Sequence, residues 1–150
     1  MKREYLELTR LIERLHRRFL DVLRAELGRM GIKELNAVQA LLLSNIGSEE
    51  IAIRDLVERG YYQGSNVSYN IKKLTDMGYL EQERSQHDRR SVTVRLTPKA
   101  LEVVERVRAL EDVNADKIEA NGIKPGDLDA ATETLRGIEQ LWAEHIRYGG

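Results

Sequence analysis

The chain has 150 residues, 41% of them hydrophobic and 33% charged, which suits one packed domain and argues against wholesale disorder. It contains no cysteine, which excludes disulfides, thiolate metal sites, thiol nucleophiles and thiol redox sensing. Net charge is −1, yet residues 54–100 carry +3 and residues 101–150 carry −5, so a basic surface is available only if the central cations gather on one face.

Residues 1–30 read as one long helix. Leu8, Leu11, Ile12, Leu15, Phe19, Val22, Leu23 and Leu27 recur at steps of three and four, and Gly28 and Gly31 mark the end. Asn36 is an expected N-cap with Gln39 three residues on, a variant of the capping box, and the almost wholly apolar run 37–46 predicts a buried helix closed by Gly47-Ser48. Residues 51–53 form a short β-prone stretch. Residues 54–59 allow only a short helix before Gly60, and Gln63-Gly64-Ser65 reads as a turn and cap. From Asn66 onward, Val67, Ile71, Leu74 and Met77 share a helical face, and Gly78 supplies a left-handed stop.

The period then changes from helical to alternating. Residues 80–84 and 92–96 predict two strands around the polar tip 85–91, a β-hairpin with a long loop. Thr97-Pro98 places an N-cap before a proline, which opens a helix carrying Leu101, Val104 and Val107 and running past Ile118. Asn121-Gly122 breaks it. Pro125 starts a last helix whose Leu128, Ala131, Leu135, Ile138, Trp142 and Ile146 form a seam suited to helix–helix packing within or between chains.

A short helix, a tight turn, an amphipathic helix and a hairpin occur in the order of a winged helix-turn-helix. The outer face of the amphipathic helix carries Ser65, Asn66, Ser68, Tyr69, Lys72 and Lys73. Asn and Ser can pair with base edges, Tyr can do so or hold a phosphate, and Lys neutralises phosphates. The hairpin tip adds His87, Arg89 and Arg90, within reach of an adjacent minor groove. Either element alone is better read as solvated surface; their combination in this order points to duplex DNA.

The run Asp88-Arg89-Arg90-Ser91-Val92-Thr93-Val94-Arg95-Leu96-Thr97 resembles the wing signature of the MarR family of transcriptional regulators. Leu35-Asn36-Ala37-Val38-Gln39 is similar to the start of that family's second helix, and Val67-Ser68, Leu74 and Gly78-Tyr79-Leu80 resemble its recognition helix and exit. Three positions depart from the pattern. Ala100 stands where glycine is common, Lys73 where arginine is frequent, and Asn70 where the family is usually apolar, so that Asn70 either faces DNA or satisfies a local hydrogen bond. The resemblance implies Arg90 as the minor-groove residue, Arg89 as a second wing contact, and Asp88 as an orienting group or a loop-turn residue.

The expected fold class is therefore mainly α (α+β), with one domain over residues 1–150. Residues 34–97 form the winged lobe, and residues 1–30 and 98–150 supply dimerisation helices. The resemblance implies a homodimeric repressor on a pseudo-palindromic duplex, with a small aromatic ligand as candidate effector. Leu15, Phe19 and Leu42 are read as core, with the lining of a ligand cleft as the alternative. No cofactor, metal or membrane partner is expected: the three histidines lack ligand spacing, no apolar run approaches the ~18 residues of a span, and the charged start reads as cytoplasmic. No phosphate loop, nucleophile elbow or kinase signature occurs, so an enzyme is not expected. The rival reading is a winged-helix module that docks another protein with the same surface.

Overall fold

In the computed structural model, residues 1–60, 64–84 and 91–149 are described, with backbone alone at 60, 64 and 65. Helix α1 (Lys2–Arg29) is followed by α2 (Ala37–Ile46), strand β1 (Ile51–Ala52), α3 (Ile53–Gly60) and α4 (Gly64–Asp76). Strands β2 (Leu80–Arg84) and β3 (Val92–Leu96) make the hairpin, and α5 (Pro98–Ala120) and α6 (Pro125–Tyr148) complete the chain.

The expected capping box is present. Asn36 Oδ1 accepts the Gln39 N–H at 2.8 Å, and Gln39 Oε1 accepts the Asn36 N–H at 3.1 Å, so two backbone donors at the start of α2 are satisfied reciprocally. The stop at Gly78 is left-handed, with φ 84°, a conformation that glycine adopts without a Cβ penalty. The hairpin strands have the expected limits, and α5 begins at Pro98.

Three boundaries differ from the sequence reading. Ile53 opens α3 instead of extending the strand, because its side chain packs on the main core and that burial outweighs a β-branched residue's modest helix cost. Gly60 lies within α3. Helix α4 begins at Gly64 rather than Asn66, so two of the three expected turn residues sit in its first turn; there the N–H groups need no intrahelical partner and Gly or Ser is tolerated. Gln63 lies outside the described residues.

The sheet order is β1-β3-β2, antiparallel throughout. Ile51 pairs with Val94 and Ala52 with Thr93 on one side of β3, while Leu80 pairs with Leu96 and Arg84 with Val92 on the other. The two-residue β1 thus covers the outer edge of the hairpin, a pairing that its short apolar sequence does not announce.

The chain divides into two compact units, residues 1–110 and 111–150. The first holds the core, where Leu42 and Leu43 of α2, Leu56 of α3, Val67, Ile71 and Leu74 of α4, and Val103 and Val104 of α5 are all buried. Leu42 is therefore core, whereas Leu15 and Phe19 are exposed on α1, whose burial begins only at Leu23 and Leu27. In the second unit α6 contains no buried residue.

Candidate nucleic-acid interface

The apolar residues of α4, at positions 67, 71 and 74, recur every three or four residues and anchor one face, which leaves the opposite face to solvent. Asn66, Ser68, Tyr69, Lys72 and Lys73 all lie on that exposed side, as their spacing predicts. Tyr69 is 61% exposed, and Lys73 Nζ stands 5.7 Å from its ring centroid, so the aromatic and the cation one turn apart form a single amphipathic patch. The backbone of Ser65 belongs to the first turn of α4; its side chain lies outside the described residues, as do His87, Asp88, Arg89 and Arg90.

Asn70 is half-buried at the border of this face. Of the two roles open to it, the local hydrogen bond is present: its Oδ1 accepts from Gln39 Nε2 at 3.2 Å. Gln39 is buried at 6% exposure, and it links the cap of α2 to the middle of α4. Sequence reasoning found Gln39 only as a capping residue. Its one further signal was a long polar side chain in an almost wholly apolar helix.

The exit of α4 is clamped from β3 and α5. Thr97 Oγ1 donates to the Gly78 carbonyl at 2.7 Å, and the Thr97 N–H donates to the Tyr79 carbonyl at 3.1 Å. Lys99 Nζ donates to the Met77 carbonyl, 2.9 Å away, and lies 4.3 Å from the Tyr79 ring. The Tyr79 hydroxyl donates to Glu34 Oε1, which also pairs with Lys99 at 3.2 Å. Burial first, then the neighbouring carboxylate, pushes the Tyr79 phenol well above the ordinary tyrosine range, so it remains a donor. The Gly78-Tyr79-Leu80 and Leu96-Thr97 motifs, far apart in sequence, are thus two halves of one hydrogen-bonded joint.

The hairpin base is also cross-braced. Glu81 and Arg95 are register partners and form an ion pair at 2.7 Å, while Gln82 Nε2 donates to Thr75 Oγ1 on α4 at 3.0 Å. Arg95 is therefore occupied within the sheet. Elsewhere in the first unit, the buried carboxylate of Glu26 accepts from Arg106 Nε at 2.6 Å and from Arg29 Nη1 at 2.9 Å, which ties α5 to α1. The Arg106 bond, then the Arg29 bond, holds the Glu26 carboxyl below its usual range.

An open cleft of about 410 Å³ lies beside the α4 exit, lined by Met30, Ile32, Glu34, Tyr79, Lys99, Glu102 and Val103 among others. None of Leu15, Phe19 and Leu42 lines it. Among the described residues, no helix is long and apolar enough to cross a membrane.

The winged helix DNA-binding domain profile matches residues 35–100, which spans α2 through the start of α5. The exopolysaccharide II synthesis transcriptional activator ExpG of Rhizobium meliloti is 37% identical over 150 residues, covering 97% of this chain and 75% of that protein. A mutant MarR of Escherichia coli complexed with operator DNA shares the fold, with a TM-score of 0.72 at 18% identity over 90% of this chain and 95% of that one. AbsC, a MarR family transcriptional regulator from Streptomyces coelicolor, superposes with a TM-score of 0.69 at 23% identity, covering 97% of this chain and 90% of its own. These relatives are regulators rather than enzymes. The chain belongs to the MarR family of winged helix-turn-helix, DNA-binding transcriptional regulators.

Proposed function

We propose that the protein acts in the cytoplasm as a homodimer that reads a pseudo-palindromic duplex, with one α4 in the major groove and one wing in the minor groove of each half-site. The observation that carries this reading is the one-sided α4: an anchored apolar face backs Asn66, Ser68, Tyr69, Lys72 and Lys73, which are all exposed. Asn66, Ser68 and Tyr69 supply hydrogen-bonding groups for base edges, and the two lysines neutralise phosphates. Ser65, His87, Arg89 and Arg90 enter the proposal from sequence, with Arg90 as the minor-groove cation. Asn70 contributes at the border of the same face.

The dimer reading rests on uncovered apolar surface. Leu11, Leu15, Phe19 and Val22 on α1, and Leu128, Leu135, Trp142 and Ile146 on α6, are all exposed in the single chain. A second copy covers such surface without any other partner. A small aromatic effector is the remaining part of the proposal, and the cleft beside Tyr79 and Lys99 has the size for one. Benzoate titration followed by thermal melting tests it: an unchanged melting temperature up to millimolar ligand removes the effector from the reading.

The sign of regulation does not follow from the reading surface. The resemblance to the family led to repression, whereas the Rhizobium meliloti relative is named an activator. The same bound duplex serves either outcome, according to where the site lies relative to a promoter.

Salt-titrated binding to duplexes selected by the protein from a random library tests the whole assignment. Arg90→Ala is expected to cost about 1–3 kcal/mol and to relax preference at A·T-rich flanks. Lys73→Ala is expected to weaken all duplexes alike and to reduce the salt slope by about one unit. If both variants bind as the parent does at every salt concentration, the surface serves to dock a protein instead.

A further inference from the structure

The hydrogen bonds around Gln39 have a direction that only one arrangement satisfies. The Asn36 backbone N–H can only donate, so the side-chain atom of Gln39 that meets it, 3.1 Å away, must be Oε1. The Gln39 amide therefore turns Nε2 toward α4, and Nε2 can only donate. Asn70 must answer with its oxygen, which it does at 3.2 Å. A backbone donor at the cap of α2 thus sets the orientation of two successive side-chain amides. No buried side-chain nitrogen or oxygen among the described residues lacks a partner, so the relay is complete at its inner end.

The outer end lies at the border of the exposed face of α4. Asn70 is half-buried and lies one helical turn from Asn66 and from Lys73, both exposed on the reading face. We propose that Asn70 is a donor-only DNA contact: the bond from Gln39 holds its oxygen turned toward α2, and its Nδ2 donates to a hydrogen-bond acceptor of the DNA, either a base edge or a phosphate oxygen. A free asparagine amide can pair with adenine bidentately, giving and receiving one bond each. Asn70 in this relay cannot. It favours acceptor edges, as on guanine, over donor edges, as on cytosine. Gln39 touches no DNA in this scheme and acts as a positioning residue. The inference rests on the reading of α4 as the recognition helix.

Gln39→Glu tests the polarity without removing the cap, because glutamate at this position also accepts the Asn36 N–H and is the commoner capping-box residue. Its second oxygen can only accept, so Asn70 must rotate to donate Nδ2 inward and present Oδ1 outward. Full-length parent, Gln39→Glu, Asn70→Leu, Lys72→Ala and Ser68→Ala proteins are each used to select duplexes from a random library. All are then titrated against the duplex that the parent selects, with thermal melting to normalise for folding.

Asn70→Leu is expected to bind that duplex about tenfold more weakly, the order of one lost hydrogen bond. Gln39→Glu is expected to exchange an acceptor-edge base for a donor-edge base at one position of its selected site, which assigns the contact to a base. A uniform loss with unchanged selection, in which one methylphosphonate linkage erases the difference between the parent and Asn70→Leu, supports the donor and assigns it to a phosphate. If Asn70→Leu and Gln39→Glu bind and select as the parent does while Lys72→Ala and Ser68→Ala weaken binding, the relay is packing only and the inference is wrong. If all four variants bind as the parent does, the reading of α4 falls and takes the inference with it.

Discussion

Helices α4 and α6 carry the same kind of apolar seam, written at steps of three and four, and they end in opposite situations. In α4, Val67, Ile71 and Leu74 are almost wholly covered by the rest of the first unit; in α6, Leu128, Leu135, Trp142 and Ile146 are all exposed, Ile146 at 84%. The periodicity specifies that a face must be covered and says nothing about what covers it. For α4 the cover lies within the chain, so its polar face is fixed in space and can serve as a reader. Helix α6 has no buried residue, which is why a second copy enters the proposed function.

The sharpest way to break this contrast is to truncate one residue from each seam. Leu74→Ala is expected to cost about 2–5 kcal/mol of stability by denaturant unfolding, because it opens a cavity in a filled core. Leu135→Ala, at an exposed position, should leave the stability of dilute protein within about 0.5 kcal/mol. Equal losses from the two would show that α6 is buried by its own chain in solution.

Charging the α6 seam addresses the dimer itself. Leu135→Asp combined with Trp142→Asp is expected to weaken self-association by roughly 2 kcal/mol or more, the scale of an interface hot spot, as read by sedimentation equilibrium. The far-ultraviolet spectrum of the first unit's helices should persist. A double variant that associates as tightly as the parent would remove α6 from the interface.

Within the first unit, the Glu26 clamp has the next largest expected effect. Glu26→Gln keeps the shape, gives up the charge-assisted bonds to Arg106 and Arg29, and is expected to cost about 1–2 kcal/mol near neutral pH. Because the folded-state carboxyl titrates below its unfolded value, the contribution is fully present above the unfolded pKa and is lost as the pH falls through the folded one. The parent and variant stabilities should therefore converge in acid. A constant gap from neutral pH into acid would mean that the clamp acts through packing rather than charge.

The smallest effect concerns the cap. Asn36→Ala removes one acceptor from the first turn of α2 and is expected to cost about 1 kcal/mol in thermal or denaturant unfolding. No loss at all would show that water replaces the side chain as acceptor of the Gln39 N–H, while the Asn36 backbone N–H that orients the Gln39–Asn70 relay is kept in this variant.

The sequence by itself determined what is local. The Asn36–Gln39 cap, the Gly78 stop, both hairpin strands and the start of α5 at Thr97-Pro98 all follow from short-range rules, because each is decided by hydrogen bonds or backbone preferences within a few residues. The exposed face of α4 was legible for the same reason, as the complement of its apolar spacing. Residues distant in sequence and joined in space were decided by the tertiary structure alone. Only the fold brings Ile51 beside Val94, Thr97 onto the carbonyls of Gly78 and Tyr79, and Gln39 against Asn70. Such pairings depend on how buried faces stack, and burial is non-directional, so a pattern of apolar residues fixes that a face is covered without naming the partner that covers it.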